Sequence, residues 1–167
     1  MFSETTEVPI TMIVHVALAR ADMSKLSLPT TIRGLWLLLA CARQRSTWWH
    51  VHVECGGKAL ILSPNGSFVV ELSVIDRIGA VTERIEVPAD PVDVLNCMAG
   101  AITWVRVGWW QMFLCWLTRG RAGADCVSVT RRILQYAGVP VPDKVRRVKE
   151  LREWLRLHTT TRCEQRS

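Results

Sequence analysis

Cys126 combines a reactive side chain with a position that can activate it. It follows Asp125 at the end of a glycine-containing loop and opens a stretch whose apolar residues have helical spacing. Because aspartate caps helices by accepting their free N–H groups, Cys126 is predicted at the first position of a helix. The positive end of the helix dipole lowers the pKa of a thiol there, whereas the adjacent carboxylate raises it. This placement favours an activated thiol, which could act as a nucleophile.

A cysteine nucleophile needs a base to accept its proton, and histidine is the usual one. His50 and His52 alternate along a predicted strand and therefore point to one face, with Glu54 two residues further on. Either histidine could be the base. The alternative is that both simply belong to the polar face of a hairpin. His15 lies in an apolar strand and His158 in the C-terminal tail, which makes them weaker candidates.

The remaining cysteines do not predict a metal site or a cofactor. The six cysteines show neither C-x-x-C pairs nor zinc-ligand spacing with histidine, and stand at positions 41, 55, 97, 115, 126 and 163. The cysteine spacing suggests reduced thiols, and the sequence shows no basic stretch of the kind that opens a signal peptide. We therefore expect a cytoplasmic protein. The longest apolar runs are too short to cross a bilayer.

Positive charge is concentrated in the C-terminal third. The net charge is +6, and residues from Arg131 onward carry ten Lys or Arg against four Asp or Glu. These charges lie mostly on a predicted helix opposite an apolar stripe, so we expect a solvated face and no nucleic-acid partner. A nucleic-acid or acidic-polymer surface is the alternative.

The first half of the chain contains the elements that would position the histidines. A strand is predicted over Ile10–Leu18, and a helix from Thr30 or Thr31 to about Arg43. A hairpin follows, with strands Trp49–Cys55 and Lys58–Ser63 joined by a two-glycine turn. That turn predicts Cys55 opposite Lys58 and His50 opposite Ser63. Further antiparallel strands are predicted over Phe68–Ile75 and Val81–Val87.

The second half contains the elements that would position Cys126. The predicted helices run from Asp90-Pro91 to about Ala101, from Cys126 to Ala137 and from about Lys144 to Leu157. A strand is predicted over Ile102–Val107, and Gly108–Leu117 fits either a helix or a strand. The sum is one α+β domain over residues 1–167, mainly an antiparallel sheet packed with helices, with disordered ends at 1–7 and 159–167.

Two short motifs in this order resemble a known family. Ser46-Thr47-Trp48-Trp49-His50-Val51 enters a strand after a helix and a polar loop, and Asp125-Cys126-x-x-Val129 opens a later helix. The chain from about Ile32 to Leu157 thereby resembles the circularly permuted papain-like cysteine hydrolases. This is the NlpC-type and lecithin:retinol acyltransferase-like group of bacteria and phages. Histidine before cysteine is the order that this permutation produces.

The resemblance implies a mechanism and a set of site residues. Cys126 would be the nucleophile and His50, rather than His52, the base. Ser63 would be the third polar residue, with Asn65 just beyond it. The activity would be that of a thiol hydrolase or acyltransferase that forms an acyl-enzyme on an amide or ester carbonyl, with a peptide, peptidoglycan or acyl substrate. The alternative is a catalytically inactive papain-like fold that serves as a structural or binding module, for example of a phage.

Overall fold

A computed structural model describes residues 12–21, 39, 41–42, 44–63, 66–79, 81–104, 109–118 and 123–164. In this part of the chain, five strands form one antiparallel sheet with the spatial order β4-β3-β2-β1-β5. The strands are β1 (Val14–Arg20), β2 (Trp48–Cys55), β3 (Lys58–Ser63), β4 (Gly66–Glu71) and β5 (Glu83–Val87). The helices are α1 (Leu72–Ile78), α2 (Pro91–Trp104), α3 (Trp109–Leu117), α4 (Cys126–Tyr136) and α5 (Val148–Glu164). The α+β class with an antiparallel sheet is confirmed.

The hairpin of β2 and β3 forms in the predicted register, with Cys55 opposite Lys58. Both turn glycines have positive φ angles, 56° at Gly56 and 74° at Gly57, as a type I′ turn requires. Ser63 lies at the far end of β3, where its backbone pairs with Gly66 of β4. The Gly56-Gly57 turn is therefore sufficient to place β2, the strand that contains His50 and His52, beside β3.

The predicted strand over Phe68–Ile75 is wrong in its second half. β4 ends at Glu71, and α1 continues to Ile78. Gly79 closes this helix at a positive φ of 64° and donates its N–H to carbonyl groups of the last turn. A short helix with only Ile75 buried offers little helical periodicity in its sequence, so its β-branched residues favour a strand when read alone.

The predicted strand over Ile102–Val107 is also wrong where the structure describes it. α2 extends to Trp104, three residues beyond its predicted end at about Ala101, and residues 105–108 lie outside the described part. Burial follows helical spacing along α2, at Val94, Met98 and Ala101. This packing favours a helix over a strand in the segment. Of the ambiguous segment Gly108–Leu117, the described part, Trp109–Leu117, forms α3. The predicted helix from Thr30 lies mostly outside the described residues.

The hydrophobic core lies between the sheet and the helices α2, α4 and α5. Odd-numbered residues of β2 face these helices, with Val53 packed near Met98 and Ile133, and Val51 near Leu134 and Leu151. The opposite face of the sheet is also buried, and includes the side chains of Ala17, Ala19, His52, Glu54 and Ala59. The side chains of His52 and Glu54 on β2 therefore lie in a covered layer instead of on a wet surface.

The last helix begins later and ends later than predicted. It starts at Val148, because residues near Pro142 form a turn in which Val145 donates its N–H to the Pro142 carbonyl. The side-chain oxygen of Gln44 accepts a hydrogen bond from the Val148 N–H at 2.8 Å, which gives this N–H at the helix start a partner. Its C-terminal end is at Glu164, so the predicted disordered end at 159–167 is helical up to that residue.

The apolar stripe of α5 is expected to stabilise the fold strongly. Leu151 is 0% exposed, and we expect Leu151→Ala to lower the free energy of unfolding by about 3 kcal/mol, through lost burial and a residual cavity. Leu157 on the same helix is 68% exposed and provides the matched control, with an expected change within about 0.5 kcal/mol. Urea denaturation of the two variants measures the difference. Equal losses would contradict this packing.

Candidate active site

The first turn of α4 has the predicted cap. The Asp125 side chain accepts the Ser128 N–H at 2.8 Å, and the Ser128 hydroxyl accepts the Asp125 N–H at 2.9 Å. This reciprocal pair is a capping box and fixes where the helix begins. Cys126 is therefore the first helical residue, as the sequence indicates.

The loop that leads into α4 lies directly on α3. Gly123 has a φ of 84°, and a Cβ atom there would lie 2.3 Å from the Gln111 carbonyl oxygen and 2.8 Å from the Cys115 nitrogen. Only glycine permits both this backbone conformation and this close approach. The contact positions the start of α4, and with it Cys126, against the buried side of α3.

The thiol of Cys126 is held in its neutral form. Burial raises its pKa to about 12, with a further contribution from the Asp125 carboxylate. Hydrogen bonds from the backbone N–H groups of Val51 and Val127 act in the opposite direction but do not offset this rise. The expectation that the helix terminus activates the thiol is therefore wrong for the free protein, because desolvation of the thiolate exceeds the stabilisation by the helix.

His50 lies near the start of β2, beside an irregularity of the sheet. His50 pairs with Ala19, whereas Trp48 pairs with Arg20, so Trp49 is an extra residue of β2 at this point. The ring centroid of His50 lies 5.2 Å from that of Trp49 and 5.7 Å from that of His52. Burial, followed by the charge of His52, lowers the pKa of His50 to about 3. The imidazole is therefore neutral at physiological pH.

The structure places the Cys126 thiol beside the cluster that contains Val51, whereas the His50 ring lies near His52 on the opposite face of β2. The Cys126 sulfur accepts a hydrogen bond from the N–H of Val51, which belongs to the peptide group that joins His50 to Val51. Ser63 is at the β3–β4 end of the hairpin, and the β2–β3 ladder is defined by pairs from Val53–Leu60 to Cys55–Lys58. Cys126, the first residue of α4, thus lies next to the backbone of the strand that contains His50, and both the dyad and Ser63 stay sequence-based predictions.

A charged network lies beside His50 on the covered face of the sheet. The Glu54 carboxylate contacts Nε2 of His52 at 3.1 Å and accepts hydrogen bonds from Nε of Arg84 at 2.6 Å and from its Nη2 at 3.2 Å. Arg84 also forms an ion pair with Asp76 of α1. Burial of Glu54 opposes its ionisation, but its partners outweigh burial and hold its pKa below the usual value.

Sequence reasoning found part of this network and missed Arg84. His52 and Glu54 follow from the alternation of β2, whereas Arg84 comes from β5, two strands away in the sheet. Ala17 of β1 pairs with both His52 and Arg84, which places the two on either side of one small residue. The available signal is a lone arginine within a predicted strand. The Nδ1 atom of His52 is buried and has no hydrogen-bond partner among the described residues.

The basic helix α5 uses several of its charges within the molecule. Glu83 accepts hydrogen bonds from Nε of Arg152 at 2.6 Å and from Nε of Arg156 at 2.8 Å. The Arg152 guanidinium also lies 4.5 Å from the ring centroid of Trp48. Lys149 contacts Glu153 at 3.8 Å. Much of the positive charge of this helix is thereby locally balanced.

Among the described residues, no group of three or more His, Cys, Asp or Glu side chains is arranged to hold a metal ion. No described helix has both the length and the apolar character needed to cross a membrane. Comparisons with protein-family models, with curated proteins and with solved structures gave no match.

Proposed function

We propose that this protein is a thiol hydrolase or acyltransferase with Cys126 as its nucleophile and His50 as its base. The observation that carries the proposal is the position of Cys126 at the start of α4, where it packs against the core cluster that contains Val51, the residue after His50 on β2. The capped helix and the Gly123 contact hold the thiol at this position. A cysteine at a helix start beside a histidine strand is also the arrangement of the permuted papain-like group that the sequence resembles.

The reaction would proceed through an acyl-enzyme. His50 removes the thiol proton as the sulfur of Cys126 attacks the carbonyl carbon, and the carbonyl oxygen becomes an oxyanion. The N–H of Cys126, at the helix start, is a candidate donor to that oxygen. The imidazolium then gives its proton to the departing amine or alcohol. Water, or a second acceptor, attacks the thioester and releases the acyl group.

Proton transfer requires a change in this site when substrate binds. A neutral thiol with a pKa of about 12 and a neutral imidazole with a pKa of about 3 do not form an ion pair spontaneously. The imidazole must come within about 3 Å of the sulfur, and developing charge must be stabilised by the substrate complex. We therefore propose a substrate-activated thiol instead of a permanently ionised one.

The substrate class follows from the resemblance and from the carbonyl chemistry. Peptide amides, including those of peptidoglycan stem peptides, and acyl esters are the two proposed groups. Both are attacked by a thiol through the same acyl-enzyme, so the proposal covers both.

A catalytically inactive papain-like fold is the second candidate. The specific observation in its favour is that both pKa shifts stabilise the uncharged side chains. In that case Cys126 and His50 would be partly buried packing residues, and the protein would act as a structural or binding module.

Acylation by an activated ester separates these two functions. With a p-nitrophenyl ester at neutral pH, we expect Cys126 to be acylated and His50→Gln to slow the reaction by about a hundredfold or more, the low end for a lost general base. His158→Gln, at an exposed position of α5, is the matched control and should keep the wild-type rate. Mass spectrometry of peptides locates the acyl group, and thermal melting verifies that each variant is folded.

Alkylation with iodoacetamide provides the complementary measurement, since it needs no base from the protein. Because the pKa of Cys126 is about 12, its alkylation rate should rise about tenfold per pH unit from pH 7 to 10. The alkylation rate of thiols with ordinary pKa values levels off above about pH 9.

The acylation experiment can also contradict the proposal. Acylation of Cys126 by the ester that is equally fast in His50→Gln and His158→Gln would refute the proposed base and favour the inactive module.

A further inference from the structure

The covered face of the sheet contains a buried histidine with one unused ring nitrogen. His52 is 3% exposed, and its Nε2 contacts the Glu54 carboxylate at 3.1 Å. Nδ1 of the same ring is buried as well and has no hydrogen-bond partner in the part of the chain that the structure describes. A buried polar atom without a partner costs free energy, and native proteins contain few of them. This nitrogen is therefore open to a hydrogen bond from a neighbouring group.

The contact with Glu54 decides which nitrogen of His52 carries the proton. Arg84 donates to both carboxylate oxygens of Glu54, at 2.6 and 3.2 Å. Although burial opposes ionisation of Glu54, its hydrogen bonds with His52 and Arg84 hold its pKa below the usual value, and the carboxylate is ionised at neutral pH. A carboxylate only accepts hydrogen bonds, so the proton of His52 belongs on Nε2. In the neutral ring, Nδ1 is then an acceptor.

His50 is placed to supply a donor to this nitrogen. Its ring centroid lies 5.7 Å from that of His52, with the two planes inclined by 36°. Two imidazoles joined by an N–H···N hydrogen bond have centroids about 5 Å apart, because about 3 Å separates the nitrogens and each nitrogen lies about 1 Å from its ring centre. Since its pKa is about 3, His50 is neutral at physiological pH, with one N–H to donate and one nitrogen lone pair. A small rotation of the ring would therefore complete a hydrogen bond to His52.

We propose that His52 and Glu54 position the imidazole of His50, with Nδ1 of His52 accepting the N–H of His50. The three side chains then form one hydrogen-bonded chain at alternate residues of β2. The second nitrogen of His50 is left as the proton acceptor, and the chain orients the imidazolium that forms when this nitrogen takes a proton. The carboxylate of a Ser-His-Asp triad has the same role.

This chain gives His52 the positioning role that the sequence resemblance assigns to Ser63. His52 and Glu54 touch no reacting atom and act only through His50. The inference rests on the proposed function for its kinetic consequence, because His50 is the base of that reaction. The hydrogen bond itself does not depend on the reaction and can be measured without substrate.

Nitrogen-15 spectra of the full chain labelled at histidine test the hydrogen bond directly. In wild type we expect His52 to be protonated at Nε2 and His50 to be held in one tautomer. His52→Phe removes the acceptor and should release His50 into a mixture of tautomers. His52→Asn should keep the single tautomer, because the asparagine oxygen lies close to the position of Nδ1. His15→Gln is the control, since His15 lies opposite Glu54 on the same face and is not part of the chain.

Acylation of Cys126 by the p-nitrophenyl ester measures the consequence for the proposed base. His52→Phe should slow acylation by between about tenfold and a hundredfold, the effect of a misplaced catalytic group. His52→Asn and Ser63→Ala should both stay within about threefold of wild type, because the acceptor for His50 is kept. If His52 only fills space, the order of its two variants should be reversed, since phenylalanine preserves more of the buried volume than asparagine.

The two measurements separate this inference from the proposed function. A His52 ring protonated at Nδ1 in wild type, or an unchanged His50 tautomer in His52→Phe, would overturn the hydrogen-bonded chain. So would acylation that requires His50 but is equally fast in His52→Phe and wild type, a result that leaves the proposed base intact. Acylation that does not depend on His50 contradicts the proposed function instead, and the spectra alone then decide the hydrogen bond.

Discussion

Arg84→Met is expected to lower the free energy of unfolding by about 3–5 kcal/mol, the range for removal of one partner from a buried ion pair. Glu54 is almost completely buried, and Arg84 is its bidentate partner. Methionine preserves much of the arginine stem but leaves the Glu54 carboxylate without its guanidinium partner and in contact with His52 of β2. The cost is therefore that of an incompletely compensated charge, not that of lost packing. Urea denaturation near pH 7 measures it.

The pH dependence identifies the cause of this loss. The pKa of Glu54 is lowered in the folded protein, so its ionised form stabilises the fold above the unfolded pKa, and this contribution is lost as pH falls through the folded pKa. The deficit of Arg84→Met should consequently shrink on acidification below about pH 4.5, where the carboxylate becomes protonated. Adding Glu54→Gln should recover most of the loss at neutral pH. A deficit that is constant with pH and unrelieved by Glu54→Gln would indicate packing as its source.

Much of the fold is predictable wherever a local signal has one physical solution. The turn at Gly56 and Gly57 needs two positive φ angles, and it fixes the β2–β3 register in the sequence and in the structure. Asp125 caps α4 for a similarly local reason. The stretch after Glu71 lacks such a signal, since helix α1 is short and buries only Ile75. Its helical state depends on Gly79 and on contacts with the rest of the sheet, which the local pattern does not contain.

The candidate site is predictable in position and less so in chemistry. The predicted strand and the predicted capped helix correctly place His50 on β2 and Cys126 at the start of α4. The pKa of a thiol, however, is decided by how far packing excludes water from it. Arg84 is similarly invisible, because it reaches Glu54 from a strand that is distant along the chain. Burial and cross-sheet charge are properties of the assembled sheet, and they reverse the activation that the helix terminus alone would give.

Gly123→Ala is expected to lower the free energy of unfolding by about 3–5 kcal/mol, which combines the cost of a left-handed backbone with that of overpacking. Its added methyl group would meet the backbone at the Gln111 oxygen and the Cys115 nitrogen. No side-chain rotation can relieve a contact with backbone atoms, so α3 and the start of α4 must separate. Because Cys126 follows three residues later, the same displacement should weaken the contact of its sulfur with β2.

Gly138→Ala is the matched control, because it has the same backbone conformation without the contact. Gly138 has a φ of 83°, close to the 84° of Gly123, but a Cβ atom there would meet nothing within 4 Å. We expect it to cost about 1–2 kcal/mol, from the left-handed backbone alone. The difference between the two variants in urea denaturation therefore isolates the packing of the Gly123 loop on α3. Since the loop positions Cys126, iodoacetamide should alkylate Cys126 faster in Gly123→Ala than in Gly138→Ala. Equal stabilities or equal alkylation rates of the two variants would show that the contact between the Gly123 loop and α3 does not hold the thiol in place.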